Sequence, residues 1–561
     1  MGSRAVGSRD AESVNEKAVN YQALEFTYQA SPDQTSATPV QHSVVIVGAG
    51  PVGLSLAIDM AQRGVKVLLL DNDHKLSSGS RAICFAKRTL EIFDRLGPGE
   101  RMVRKGVSWN VGRVYFKDEP VYSFNLLPDV APASATQTEP TQARPAFINL
   151  QQYYVEGYLI ERALELPLID IRWCNTVTGL NQHSDHTELN IDTPDGAYTV
   201  HADYMVACDG SRSPLRAMMG LETEGRVFRD RFLIADVRMD VSLPEERRFW
   251  FDPPFHPKQS VLLHKQADSM WRIDFQLGWD ADPEAEKQPE RIAPRVRALL
   301  DSMGAADVGF TIGWASVYTF ACQRMQSFRH SRVLFAGDAA HGVSPFGARG
   351  ANSGVQDADN LGWKLARVVQ GESPASLLDS YAFEREYAAD ENILNSTRAT
   401  DFITPKSEVS ALFRDAVLAL SRRYPFARRV VNSGRLSVPS TLIGSALNTA
   451  DVDEFSGSMV PGAPALDAPL VWAGRRTWLL RELCADFTLL VFGTAPDWAA
   501  NLKLKVLAID SGVDISCHAK QRYDARPGTA YLMRPDQHVC GRWRTPTHAA
   551  VQNAIAKATA C

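Results

Sequence analysis

Several features that would fix a function class at once are scarce or missing in this sequence. Its eight cysteines, at 84, 174, 208, 322, 484, 517, 540 and 561, contain no CxxC pair and no zinc-type spacing, which argues against a dithiol centre or a cysteine metal site. That usage fits a reducing cytoplasm. No apolar run approaches the ~20 residues of a membrane helix, and the Met1 end lacks the basic-then-apolar pattern of a secretory signal. The opening MGSR would suit myristoylation only with Ser or Thr at position 6, where Val6 stands. A charge excess is also missing: 60 Lys+Arg against 65 Asp+Glu give a net charge of -5, too balanced for nucleic acid or an anionic membrane as main partner. No internal repeat points to a solenoid or propeller. What is present is an ordinary globular balance, 45% hydrophobic and 22% charged, over 561 residues, enough for two or three domains with a large core.

Residues 1–42 are mixed polar sequence without a sustained period and read as a flexible extension. At Ser43 the texture changes to a short apolar run, a Gly-rich turn, a helical stretch and a second apolar run. Residues 110–150 carry scattered Pro and Ala and read as an excursion over the surface, before a helix starting near Gln152. From 226 to 325 strand patterns dominate. The remainder reads as a strand, a long helix, a mostly helical stretch to about 455, and a small α/β unit from 456 to 561.

Gly48-Ala49-Gly50-Pro51-Val52-Gly53 is GxGxxG directly after an apolar strand and opening a helix, with Asp71 closing the next strand. Gly48 permits the tight turn, Gly50 lets a pyrophosphate approach the backbone, Gly53 permits close helix packing, and Asp71 can accept from ribose hydroxyls. The motif indicates a dinucleotide without distinguishing NAD from FAD. Further on, Asp209-Gly210 follows a strand-like ADYMVAC. Gly337-Asp338 follows VLFA, with Pro345 and GARGANSG beyond.

These three motifs, in this order, resemble the FAD-dependent group A aromatic hydroxylases, the family of p-hydroxybenzoate hydroxylase and phenol hydroxylase, from about 43 to 400. The resemblance implies an α/β fold with a Rossmann-like FAD-binding domain (43–225 and 326–455), a β-rich substrate domain (226–325) and a C-terminal thioredoxin-like domain (456–561) lacking CxxC. It implies that Asp338 binds the ribityl chain of non-covalent FAD. Gly337 and Pro345 would belong to the cofactor site, the amides around Gly350, Ala351 and Asn352 would face the flavin, Asp209 and Gly210 would serve FAD and NAD(P)H, and Arg81 and Gln152 match early FAD contacts. A helix N-terminus at the flavin would stabilise the negative charge that reduction places there.

Two departures limit the transfer. Where many relatives read GGQG, this chain has Phe346-Gly347-Ala348-Arg349-Gly350. Arg349 suits an acidic substrate, an FAD phosphate or the capping of a neighbouring element. The family's catalytic tyrosines also have no match by motif. In their place, MWRIDFQL alternates polar and apolar residues, so a strand would set Arg272, Asp274 and Gln276 on one face, either as a solvated surface or as the roof of a substrate pocket. His264, on the preceding strand VLLHK, is a further candidate base or a structural histidine. His183 and His186 lack further ligands, and no metal is assigned.

The resulting expectation is a monooxygenase that hydroxylates a small phenolic compound with O2 and NADH or NADPH through a flavin C4a-hydroperoxide. It would act in aromatic breakdown, as a cytoplasmic homodimer without membrane or nucleic-acid partners. A hydroxylase of larger polyketide aromatics and a catalytically silent FAD-binding protein remain as alternatives.

Overall fold

The computed structural model describes residues 21–77, 79, 81–126, 141–431 and 436–561. The central sheet follows from runs of fully buried β-branched and leucine side chains. Val40–Val47 lies between Val67–Leu70 and Gly196–Ala207, and Val333–Phe335 and Ile169–Arg172 extend the sheet outward, all four pairings being parallel. Strands buried on both faces must be covered by other elements. Pro51–Gln62 packs against Gln152–Leu164 and Gly350–Val369, and these helices share one continuous apolar core with the sheet.

A second, eight-stranded sheet carries Phe310–Met325, Thr223–Met239, Met270–Leu277, Ser260–Lys265 and Arg247–Phe251 in spatial order. It reaches beyond the expected 226–325. Val111–Phe116 and Glu119–Asn125, expected within a surface excursion, form its far edge, and Arg247–Phe251 pairs with Val111–Phe116 in parallel. Residues 127–140 lie outside the described residues, and Phe147–Asn149, also expected within that excursion, is a buried strand paired with Cys84–Ala86 and Val107–Trp109.

The extension also differs from expectation where it is described. Tyr21 is buried and packs edge-on against Tyr154 and Tyr158, while Phe26 stacks on Trp173 with ring centroids 4.1 Å apart. Residues 21–39 are therefore fastened to the central unit by a few aromatic anchors, which a polar average conceals. Residues 1–20 lie outside the described residues.

The C-terminal region builds a four-stranded sheet in the order Lys505–Ile509, Thr488–Phe492, Ala530–Met533, Val539–Trp543, with the first pair parallel and the others antiparallel. It is joined to the central unit by a buried ionic cluster. Glu384, on the helix Leu377–Ile403, accepts from Lys364 Nζ (2.7 Å), Arg534 Nη1 (2.6 Å) and Arg534 Nη2 (2.9 Å), and Arg534 also bonds Asp536. All four side chains are fully buried. Burial lowers the Lys364 ammonium to about 8 against the pull of Glu384.

The cysteines of this region show no arrangement for thiol chemistry. Burial pushes the Cys540 thiol up to about 12, and Cys484 Sγ donates to the Asp486 carbonyl at 3.2 Å. Cys484→Ser and Cys540→Ser should each leave turnover within about twofold under reducing and oxidising conditions. A large loss in either variant, with folding and FAD content intact, would restore a redox role.

Candidate functional site

The carboxyl ends of the central parallel strands converge on one edge of the sheet, where open α/β sheets bind ligands. The Gly-rich turn stands there. Gly48 has φ +107°, and a Cβ on it would run into the Cys208 carbonyl. A Cβ on Gly53 would overlap the Gly48 carbonyl oxygen, so helix and turn are in direct contact. At Gly50 a Cβ would have no neighbour within 4 Å, leaving the open approach that a pyrophosphate needs. Asp71 holds the turn by accepting from the Ala49 amide (2.6 Å) and the Asp73 amide (2.8 Å). Burial raises its pKa, and the two amides oppose that shift.

A cavity of about 340 Å³ opens beside this turn. It is lined by Gly50, Arg81, Gln152, Gly210, Asp338, Pro345, Arg349, Gly350, Ala351 and Asn352 from the FAD motifs, and by His264, Arg272, Asp274 and Arg247 from the second sheet. Residues chosen from seven separate stretches of sequence thus meet in one place. Asp71, Asp209, Gly48, Gly53, Gly337 and Gln276 are not among its lining residues. Asp209 Oδ2 accepts from Ser213 Oγ (2.8 Å) and the Leu215 amide (3.1 Å) and so fixes the turn that presents Gly210. Gln276 accepts from the Ser260 amide at 3.0 Å, tied to the strand beyond the cavity's end.

Asp338 is exposed between buried Gly337 and Ala339, its side chain opening onto the cavity. Burial raises its pKa, partly offset by His341 and Arg81. Gly337, at φ +64°, is set by Asp357, whose Oδ2 accepts the Gly337 amide (3.0 Å) and His341 Nε2 (2.7 Å), while Oδ1 accepts Arg385 Nε (2.6 Å). Burial would raise the Asp357 pKa, but His341 and Arg385 overcome it and hold the carboxyl low. Sequence reasoning missed this triad, because its three members lie on different elements.

The helix Gly350–Val369 begins at the cavity with no side-chain cap on its first amides. Asn352 ties that start to the strand Cys84–Ala86, accepting from the Ala86 amide (2.7 Å) and donating to the Cys84 carbonyl (2.8 Å). Arg349 is buried, with its guanidinium lying where a Gly347 side chain would be. An open glycine at the pyrophosphate turn, a carboxylate facing the cavity and an uncapped helix start suit FAD: diphosphate at Gly50, ribityl hydroxyls at Asp338, flavin at the helix start.

The polar row on Met270–Leu277 is buried, with no solvated face. In the sheet register Asp236, Arg272 and His264 stand directly across from one another on three adjacent strands. Arg272 is bound to Asp236 through Nε (2.9 Å) and Nη2 (2.7 Å), so its charge is already matched. Asp274 Oδ2 lies 3.5 Å from His264 Nε2, and Asp274 Oδ1 is buried without a hydrogen-bond partner among the described residues. Arg247 is the functional candidate that sequence reasoning missed. In EERRFWF nothing separates it from Arg248, but strand alternation puts Arg248 beside Glu246 (2.9 Å) and turns Arg247 inward with Phe249. His183 and His186 sit on a hairpin turn between Thr176–Gln182 and Thr187–Thr193.

Burial, with Arg247 adding to it, lowers the His264 pKa to about 4, and Asp274 resists that shift. The imidazole is therefore neutral at physiological pH. An unfolded chain would protonate it near 6.5, so its contribution to stability is intact above that pH and falls as pH drops from about 6.5 to about 4, by about 3 kcal/mol in all. Chemical denaturation of wild type and His264→Gln across that range checks this. The variant should show a shallower decline.

A protein-family model described as FAD binding domain matches residues 41–396. Among curated relatives, the 3-(3-hydroxy-phenyl)propionate/3-hydroxycinnamic acid hydroxylase of Mycolicibacterium smegmatis is 31% identical over 394 residues, 70% of this chain and 67% of that protein. A probable NADH-specific resorcinol 4-hydroxylase of Rhodococcus jostii is 30% identical over 434 residues, 74% of this chain and 77% of that one. Among solved structures, the flavin-dependent monooxygenase PieE, in complex with FAD and substrate, superimposes with a TM-score of 0.77 at 22% identity. It covers 93% of this chain and 100% of its own.

Proposed function

We propose, from the premise that this chain belongs to the FAD binding domain family, that it is an NAD(P)H-dependent monooxygenase hydroxylating a small phenolic ring. The carrying observation is the convergence in one cavity of the FAD motifs with a buried polar group, His264, Asp274 and Arg247, on the second sheet. The activities for which the Mycolicibacterium and Rhodococcus relatives are named support a phenol as substrate. Bound FAD, once reduced by NADH or NADPH, supplies the activation of O2 that a closed-shell ring cannot achieve by itself.

The chain's own residues would do the rest. Gly50 and Asp338 hold the cofactor, and the helix start at Gly350 faces its flavin. Asp274 Oδ1 accepts the phenol proton or orients the hydroxyl, which raises electron density on the ring. The neutral His264 beside Asp274 is the alternative acceptor. The buried walls keep water from the reacting atoms. We further place the enzyme in the cytoplasm as a homodimer serving aromatic breakdown, with residues 456–561 as a thioredoxin-like unit of structural role. Sedimentation of full-length and truncated protein tests the oligomer.

The deciding experiment screens phenols for stimulation of NADH and NADPH oxidation by the FAD-loaded protein, with mass analysis of products. A product heavier by one oxygen atom is expected. A yellow protein that no phenol stimulates would overturn the reading.

A further inference from the structure

Residues 21–39 cross the central unit and meet it at the two chain segments that bracket Asp71. On one side the Phe26 amide donates to the His74 carbonyl (2.6 Å), and Glu25 forms an antiparallel bridge with Lys75. On the other, the Phe26 ring lies 8° from parallel on Trp173, and Asp33 Oδ2 accepts from Arg172 Nη2 (2.8 Å). The two segments are themselves joined around Asp71. Its amide donates to the Arg172 carbonyl (3.0 Å), its carbonyl accepts from the Asn175 amide (2.8 Å), and the Asp73 carbonyl accepts from the Cys174 amide (3.1 Å). Phe26 thus clasps both walls of the crease from which Asp71 reaches the Ala49 amide of the Gly-rich turn.

The loop after Asp71 has little of its own to hold it. Of residues 72–77 only Leu76 is buried. Its far end is tied by Ser77, whose amide and Oγ donate to Glu156 (3.0 and 2.8 Å) on the helix Gln152–Leu164, and both residues line the cavity. That helix also holds the start of the extension. Tyr21 rests on Gly157, where a Cβ would stand 2.2 Å from the ring, and Arg101 Nη2 donates to the Tyr21 hydroxyl (2.8 Å). An exposed polar loop without a core of its own weakens binding in proportion to the time it spends out of its binding shape.

We propose that residues 21–39 are part of the FAD-binding apparatus: a strap that holds the Asp71 loop in its binding shape and so raises affinity for the adenosine half of the cofactor. This rests on FAD occupying the cavity beside the Gly-rich turn. A segment serving only to cover the core would place its main-chain bonds on buried partners. Here the bonds of Glu25 and Phe26 go to exposed His74 and Lys75, where they bury little and order a loop that starts at the ribose-binding acid.

The test compares the full chain with Phe26→Ala, Phe26→Tyr and Gly157→Ala. The first removes the stack on Trp173, the second keeps it, and the third displaces Tyr21 from the helix side while leaving the strap's own sequence intact. Titration of each apoprotein with FAD gives the dissociation constant, and hydrogen exchange of the apoproteins reports opening at 73–77. Phe26→Ala should weaken FAD tenfold or more, with exchange at 73–77 at least tenfold faster and exchange in the strand Val40–Val47 unchanged. Gly157→Ala should weaken FAD threefold or more, and Phe26→Tyr should stay within about twofold of wild type. Wild-type FAD affinity in both Phe26→Ala and Gly157→Ala, at whatever thermal midpoint, would reduce the strap to a stabilising element and overturn the proposal. Weaker FAD binding with unchanged exchange at 73–77 would overturn it as well, since the loop would not be the route. Failure of the folded wild type to bind FAD would overturn the cofactor assignment and the strap's role together, a pattern distinct from a loss confined to the variants.

Discussion

Asp338→Ala should yield a folded protein that no longer retains FAD. The carboxylate faces the cavity from a turn that Asp357, His341 and Arg385 hold rigidly, so no neighbour can move in to replace it. Charge-assisted bonds to ribityl hydroxyls contribute ~1.5–3 kcal/mol each, so losing two raises the dissociation constant by roughly 100-fold or more. Gly50→Val should act in the same direction by filling the open approach at the pyrophosphate turn. Titration of the apoprotein with FAD, alongside circular dichroism, measures both. The ligand-free Asp338→Ala protein should be no less stable than wild type, because the residue removed is a carboxylate whose burial disfavours its charge. Unchanged FAD affinity would take Asp338 out of the site.

Asp274→Asn should keep FAD and shape but lose hydroxylation by tenfold or more, about 1.4 kcal/mol of barrier or greater. The amide is nearly isosteric with the carboxylate, and what disappears is a negative charge acting inside a buried cavity, where it is worth far more than in water. Coupling is the diagnostic quantity. NAD(P)H consumption should continue with a larger share ending as hydrogen peroxide, because the phenol waits longer to be correctly held. Product formed per NAD(P)H consumed measures this. If rate and coupling match wild type, the base lies elsewhere, and His264, 3.5 Å away and neutral, is next.

The cofactor side of the site was legible in the sequence because its signals are local. A strand, a glycine turn and a helix occupy consecutive residues, and Asp338 and Gly350 lie within thirteen positions of each other. The substrate side was legible only in part. Alternation in MWRIDFQL located a polar row, but not that Arg272 is matched by Asp236 or that Gln276 stops short of the cavity. Those facts depend on register with strands elsewhere in the chain. The edge strands at 111–125 escaped notice for the same reason, since their partner Arg247–Phe251 lies more than a hundred residues on. Arg247 escaped because nothing in EERRFWF separates it from Arg248, and only the pairing of its strand turns it toward the cavity.

The buried cluster of Glu384, Lys364, Arg534 and Asp536 bears on how enzymes of this design can be recombined. Two of its members sit on the helices Gly350–Val369 and Leu377–Ile403 and two on the turn between the C-terminal strands Ala530–Met533 and Val539–Trp543, all without access to solvent. A hybrid that grafts the last hundred residues from a relative must bring a matching cation to the position facing Glu384. Otherwise it leaves a carboxylate stranded against the helix Gly350–Val369, whose first residues line the cavity. The inheritable unit is therefore the two helices together with the C-terminal sheet, and crossover points are better placed before Gly350 than at the seam near 456.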